Sequence, residues 1–397
     1  MNTVIYILAF ILLTPVLWTG CYLLFFSLLG KMKKDEPRIQ RSRLGFQPKI
    51  VVLIPAYKED QVIIDTADNI LQQTYSQDKW DAFVIADSFE SSTLLTLRQM
   101  GIGLIEVAFE NSTKSKALNK AMGQLQEEYD LVLILDADNH VKPEFLEQVV
   151  MRWKEDTEIA QCHRTAKNKD TGVALLDTIS EEVANHIFSK GHRAIGLSSR
   201  LVGSGMVFKY PLFKSVMQEI QAIGGFDKEL EVRMMAQGKI IDYYKDLMVF
   251  DEKVRNTQSL QKQRLRWISS QFVYLGRYFG KACQALIQEG NVDLFNKVLQ
   301  FTLAPRLIYL GLCSMAILLG FISSSLLLVG GGLLGLLLIG LAYALALPPH
   351  LSASDLWKSI GKLPSAMLSM IWQMRKIKGA NKKFIHTPHG ATTPNNN

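Results

Sequence analysis

The feature that most restricts this chain is an uncharged apolar run near its start, TVIYILAFILLTPVLWTGCYLLFFSLL, over residues 3 to 29. It exceeds the ~20 residues that a bilayer-crossing helix needs. A cleaved signal peptide fits poorly, because no charged leading region precedes the run, its apolar part is too long, and no small-residue cleavage site follows. A second apolar block covers 307 to 347 and is broken by Ser323, Ser324, Ser325 and by Gly330, Gly331, Gly332. That length predicts a helical hairpin that crosses twice, with its turn in one of the two small-residue patches. The expectation is therefore one crossing within 1–30 and two within 301–348.

Charge sets the orientation. Lys31, Lys33, Lys34, Arg38, Arg41 and Arg43 follow the first crossing, and Lys358, Lys362, Arg375, Lys376, Lys378, Lys382 and Lys383 follow the last. Basic flanks mark the cytoplasmic side, which puts the N-terminus outside and both 31–256 and 349–397 in the cytosol. With 20% charged residues the chain needs a soluble body as well as anchors. Its net charge of +7 reads as attraction to anionic membrane lipids and phosphorylated substrates, and the apolar runs argue against nucleic acid. Cys21, Cys162, Cys283 and Cys313 are scattered, with neither metal spacing nor a disulfide framework, as in a reducing compartment.

Between residues 49 and 250 short β-branched runs alternate with longer amphipathic ones. KIVVLIPA, DAFVIAD, GLIEVAF and YDLVLILDAD read as strands; DQVIIDTADNILQQ, STLLTLRQM and KSKALNKAMGQLQ read as helices between them. This alternation predicts an α/β body with a mainly parallel, Rossmann-like sheet. Ligands in such sheets bind at the carboxyl ends of the strands. Residues 257–300 and 355–378 are amphipathic, with Trp267, Phe272 and Tyr274 set among Arg and Gln, and predict helices lying in the headgroup layer.

The strongest local signal is Asp136-Ala137-Asp138 at the end of an apolar strand. Alternate residues of an extended strand point the same way, so both acids can address one site. Carboxylates without His or Cys suit a hard cation, Mg2+ or Mn2+, which bridges phosphates. His140 beside them reads as a neighbour rather than a ligand. Lys114 and Lys116 precede a helix, where a cation gains nothing from the helix dipole, so an anionic neighbour would explain them. Pro55 and Ala56 are expected to end the first strand and let the backbone approach a flat base.

Pro55-Ala56-Tyr57-Lys58-Glu59, Asp87, Lys116-Ala117-Leu118-Asn119, Asp136-Ala137-Asp138 and Gln263-Arg264-Leu265-Arg266-Trp267 occur in one order. Together they resemble the inverting family 2 glycosyltransferases of GT-A fold, in the membrane-bound branch that includes cellulose, hyaluronan and poly-N-acetylglucosamine synthases and ceramide glucosyltransferases. The resemblance covers about 49 to 280 and implies a UDP-sugar or other nucleotide-sugar donor, Mn2+ or Mg2+, and transfer to a lipid-linked or growing glycan acceptor at a bacterial cytoplasmic membrane. It implies donor binding by Pro55, Ala56, Glu59, Asp87, Lys116, Asp136, Gln263 and Arg266. Metal binding would fall to Asp138 with Asp136, and acceptor contact to Gly203, Ser204, Gly205 and Trp267. Alignment of Gly224-Gly225-Phe226-Asp227 places the general base at Asp227, with Glu229 as second candidate. Phe226 stands where the family has Glu.

On the Gln263 helix, positions i, i+3 and i+4 share a face, so amide, guanidinium and indole can form one surface. Phe384 to His389 could close over donor phosphates. Rival versions are a processive synthase, with a second copy or an export partner, and a catalytically inactive nucleotide-sugar sensor that the Phe226 departure would favour.

Overall fold

The computed structural model describes residues 2–34, 46–220, 224–255, 257–349, 351 and 361. Helix α1 (Asn2–Met32) is followed by β1 (Ile50–Tyr57), α2 (Ile63–Leu71), β2 (Trp80–Asp87), α3 (Ser91–Met100), β3 (Gly103–Val107), α4 (Lys114–Gln124) and β4 (Leu131–Ile134). Next come β5 (His140–Val141), α5 (Phe145–Arg152), β6 (Ile159–Ala166), α6 (Gly172–Asn185) with a π-turn at His186–Gly191, and β7 (Met206–Lys209). Then follow α7 (Tyr210–Met217), α8 (Phe226–Ala236), β8 (Ile241–Asp251), α9 (Thr257–Glu289), α10 (Val292–Gln300), α11 (Arg306–Ile322) and α12 (Leu326–Ala346).

Two compact units result, one built on the sheet and one made of helices. The segment Thr171–Leu197, expected inside an unbroken 31–256 body, groups with the helices. The reason is its packing: Leu175, Ile179, Val183 and Ile187 share one apolar cluster with Tyr22, Leu23 and Phe26 of α1.

In the sheet unit eight strands run in the order β3-β2-β1-β4-β7-β6-β8-β5. The β3-β2-β1-β4 half is parallel, as the alternation predicts. Strand β7 then returns antiparallel to both β4 and β6, while β6 and β8 are parallel, so the sheet is mixed. Ile50 through Ile54 are fully buried, as a continuous apolar strand covered on both faces requires. Helix α2 buries Ile63, Thr66, Ala67 and Ile70, the i, i+3, i+4, i+7 stripe of a helix lying on a sheet.

Pro55 does not end β1, which pairs with β2 through Tyr57 opposite Asp87. Leu53 O accepts from Leu135 N, so Leu53 and, by parity, Pro55 face β4, and β4 pairs no further than Ile134 opposite Leu53. The missing proline N–H therefore falls where no partner strand remains.

In the helical unit, α1, α11 and α12 pack through small residues. A Cβ on Gly20 would fall 2.6 Å from the Tyr309 hydroxyl, and one on Gly335 would fall 2.4 Å from Val16 Cγ1. Tyr309 donates to Gly335 O at 2.7 Å, which satisfies its hydroxyl in an apolar setting. The hairpin turn lies at Ser323–Ser325, with Ser324 at φ 50°, and the Gly330–Gly332 patch lies inside α12. Among the described residues, α1 and α12 are long and apolar enough to cross a membrane, and α11 is a shorter apolar helix. Apart from residue 361, the expected helix at 355–378 lies outside the described residues, as does the cluster at 384–389.

Candidate active site

The parallel strands end in register. Tyr57 lies opposite Asp87, and Asp87 opposite Val107. Immediately beyond, Lys58 (φ 55°) and Ser88 (φ 61°) both adopt the left-handed conformation. Non-glycine residues pay for that geometry, and such strain collects at functional rims. Lys58 N donates to Asp87 O at 3.1 Å, tying the two strand ends together. Asp87 is buried, and Ser88 Oγ donates to its Oδ1 at 2.9 Å.

Asp136 and Asp138 lie past the end of β4, in a turn rather than on extended strand. Asn139 N donates to Asp136 O at 3.1 Å, and Asp136 N donates back to Asn139 Oδ1 at 3.0 Å. The argument from strand alternation therefore does not apply to the two acids, which are held by a turn and take different partners. Asp138 is buried, and its Oδ2 accepts from Glu252 N at 2.9 Å. Asp136 is partly exposed and pairs with the Lys114 ammonium.

Lys114 also donates to Gly203 O at 2.7 Å and lies 5.4 Å from the centre of the Phe226 ring. Gly203, at φ +86°, is so close to helix α8 that a Cβ there would lie 3.9 Å from Phe226 and 4.0 Å from Asp227 Cβ. One ammonium thus gathers Asp136, the Gly203 loop and the start of α8. Asp227 is half-buried in the first turn of that helix. Glu229 is buried and committed to Arg233, whose Nε donates to it at 3.1 Å. Arg233 also pairs with Glu219 at 2.5 Å, so of the two base candidates Asp227 is the accessible one.

Ser204 is buried, and its hydroxyl donates to Asn139 Oδ1. Gly203 and Gly205 are buried too, and Gln161 clamps their loop by donating to Ser204 O at 2.9 Å while accepting from Val202 N at 3.0 Å. The hydroxyl of Ser204, a residue expected to contact the acceptor, braces the acid turn. Lys116 is exposed, and its ammonium donates to Asn111 O at 2.9 Å, while Lys114 reaches Asp136. The sequence signal for Lys114 was present, a cation at the positive end of a helix, but the resemblance favoured its neighbour.

Glu59 is buried, and its carbonyl accepts from Val62 N and Ile63 N at the start of α2. His140 lies between Asp65 at 3.0 Å and Lys167 at 2.8 Å. Burial and the Lys167 ammonium hold its pKa below the ordinary value, while Asp65 opposes them.

Asn139 is the residue that sequence reasoning missed. Besides the Asp136 and Ser204 bonds, its Nδ2 donates to Asp251 Oδ1 at 3.2 Å and points to Asp138 Oδ1 at 3.4 Å. Nothing in the sequence distinguishes it from an ordinary turn asparagine.

Gln263, Arg266 and Trp267 lie on α9 in the helical unit. Trp267 is exposed, Gln263 and Arg266 are half-buried, and burial holds the Arg266 guanidinium pKa down.

Among the described residues no group of three or more His, Cys, Asp and Glu forms a complete cation cage. Two carboxylates alone, Asp136 and Asp138, are a hard-oxygen donor set that fits a cation such as Mg2+ or Mn2+, which completes its shell with water and phosphate oxygens.

A mixed sheet with helices on it, and carboxylates and a lysine at the ends of its parallel strands, is consistent with the GT-A class of glycosyltransferases, the fold class that the comparisons below support. The chain belongs to the family described as "Glycosyltransferase like family 2", whose model matches residues 48–270. It is 24% identical over 283 residues to a probable glucomannan 4-beta-mannosyltransferase 14 of Arabidopsis thaliana, covering 67% of this chain and 52% of the relative. It is 24% identical over 230 residues to the poly-beta-1,6-N-acetyl-D-glucosamine synthase of Staphylococcus aureus (strain COL), covering 55% of this chain and 53% of the relative. The chain thus spans about half the length of these curated relatives. Among solved structures it resembles the mannosyltransferase PcManGT from Pyrobaculum calidifontis, in complex with GDP-Man and Mn2+. The TM-score is 0.61 at 15% identity, covering 93% of this chain and 98% of that one. At that identity the likeness concerns the fold.

Proposed function

We propose that this protein transfers a sugar from a nucleotide-diphosphate donor, of UDP type, to a lipid-linked or growing glycan hydroxyl at the cytoplasmic membrane face, with inversion. The observation that carries the reading is the convergence of Asp136, Lys114, Gly203 and Asp227 at one edge of the sheet.

The roles follow from position. Asp87 accepts an N–H of the base at the end of β2, with Pro55, Ala56 and Glu59 lining the neighbouring strand end. Asp138, with Asp136, would hold Mn2+ or Mg2+, which when bound offsets charge on the diphosphate. Lys114 leaves Asp136 and supplies a positive charge to the departing diphosphate, a preorganised electrostatic contribution. Asp227 takes the proton of the acceptor hydroxyl. The hydroxyl oxygen bonds to the anomeric carbon as the bond from that carbon to the diphosphate oxygen breaks. Gln263, Arg266 and Trp267 are assigned to diphosphate and acceptor, with the indole as a flat apolar platform.

The three apolar helices, the basic residues after α1, and relatives that include a polysaccharide synthase support an integral membrane protein with its catalytic unit in the cytosol. The S. aureus relative also supports a polymerising version, in which a second copy or an export partner carries the product across.

The test is a donor panel with purified protein in lipid, with and without Mn2+, beside Asp138→Ala. Release of free nucleoside diphosphate that needs Mn2+ and is lost in the variant is expected. Turnover indifferent to that substitution would refute the metal assignment, and no turnover with any donor would favour the sensor version. Product length separates single transfer from polymerisation.

A further inference from the structure

Within the helical unit, two arginines meet with too little negative charge between them. On α6, Asp177 and Ser180 share a face at i, i+3. Arg264 of α9 reaches Asp177 Oδ1 at 3.5 Å, and Arg306, the first residue of α11, donates to Ser180 O and, at 2.7 Å, to Ser180 Oγ. The Arg306 guanidinium also lies 5.6 Å from the Tyr343 ring centre on α12. A carbonyl, a hydroxyl and a ring face carry no net charge, so Asp177 is the one carboxylate contact of the pair among the described residues. Its contact with Arg264 lies at the long limit of a hydrogen bond.

Arg264 and Asp177 are both largely buried, with side chains 14% and 9% exposed, and Arg264 Nε has no hydrogen-bond partner among the described residues. Burial pushes the Arg264 pKa down, Asp177 opposes that, and the nearby Arg306 charge adds to it. Buried cations are tolerated when paired, and this pair is half paired.

Location narrows the ligand. Arg306 opens α11 and Tyr343 lies one turn before the end of α12, so the pair marks the mouth of the apolar hairpin, at the end away from the Ser323–Ser325 turn. Leu337 and Leu341 of α12 are exposed along the same helix. Guanidinium forks match phosphate oxygens in pairs.

We propose that Arg264 and Arg306 form a binding site for a phosphoryl group borne by a membrane lipid headgroup. The lipid half of this inference rests on the membrane reading above. The phosphoryl half rests on the arginine geometry alone.

The experiment uses the full chain in phosphatidylcholine nanodiscs, with dioctanoyl phosphatidate and inorganic phosphate as separate probes and binding as the readout. Because no transfer reaction is measured, the outcome is independent of the proposed activity. Arg306→Gln and Arg264→Gln are each expected to weaken phosphatidate binding about tenfold or more, the scale of one lost charge-assisted contact. Asp177→Asn removes the competing acid and is expected to tighten binding, a gain that misfolding cannot produce. Phosphatidate binding tighter than inorganic phosphate supports the lipid source. Equal binding of the two probes overturns that source while retaining the phosphoryl site. Wild-type affinity in both arginine variants, or no tightening in Asp177→Asn, overturns the proposal.

Discussion

Replacing Asn139 by aspartate, an isosteric change, is expected to cost more stability than deleting the side chain with alanine. The amide is buried and makes bonds to Asp136 N, Ser204 Oγ and Asp251, with a weak fourth contact to Asp138 at 3.4 Å. In Asn139→Ala, the Ser204 hydroxyl can rotate, Asp251 keeps Lys253 at 2.7 Å, and Asp138 keeps Glu252 N at 2.9 Å. What remains is mainly an orphaned Asp136 N–H and a small void, worth about 2–4 kcal/mol. Asn139→Asp keeps the oxygen that serves Asp136 N and Ser204 but sets a second oxygen against two carboxylates. Its penalty adds like-charge repulsion to the lost donor, about a further 1–3 kcal/mol.

The new carboxyl would titrate above the usual ~3.9 of an aspartic acid. A group whose folded pKa is raised binds more protons in the folded state, so the Asn139→Asp deficit should shrink as pH falls toward 5 and grow toward 8. Thermal unfolding of both variants across that range is the assay, with roughly 2–4 °C expected per kcal/mol. An aspartate variant as stable as the wild type at neutral pH would show that the amide does not face those two acids.

Further outcomes follow from the same geometry. Asp227→Asn should lower kcat by about 10²–10⁴ while leaving donor binding intact, whereas Glu229→Gln should lower the unfolding temperature and spare more of the rate. Comparable rate losses in both would return the base assignment to Glu229. Lys114→Ala should cost about 10²–10³ in kcat and Lys116→Ala little, and steady-state kinetics with the accepted donor would expose the reverse order. His192 is fully buried, and its ring is stacked on Phe26 at 3.8 Å between centroids, so burial pushes its pKa down to about 3 from 6.5. A depressed base stabilises the fold above its unfolded pKa and loses that stability as pH falls. Thermal stability should therefore decline below pH 6.5, by up to ~1.4 kcal/mol per pH unit, and His192→Gln should flatten the decline.

Much of the site was legible because its signals are local. A buried apolar strand that ends in acids is conspicuous in one dimension, and so are the apolar runs of α1 and of α11 with α12. Pro55 misled because its tolerance depends on how far β4 extends, which is a property of the neighbouring strand. The contacts of Lys114 and Lys116 were not legible, because two lysines on either side of Ser115 look alike until the helix start is fixed. Thr113 caps α4 by accepting from Lys116 N at 3.2 Å, and Lys114 is the one that reaches Asp136.

By itself the sequence determined the α/β alternation, the apolar helices and the identity of the acids, because burial period and chain length act along the chain. Only the tertiary structure decided that Asp136 and Asp138 take different partners in a turn, that Ser204 donates to Asn139, and that Asn139 joins three segments, the acid turn, the Ser204 loop and the end of β8. Those outcomes depend on hydrogen bonds across 65 and 112 positions, which no local spacing encodes.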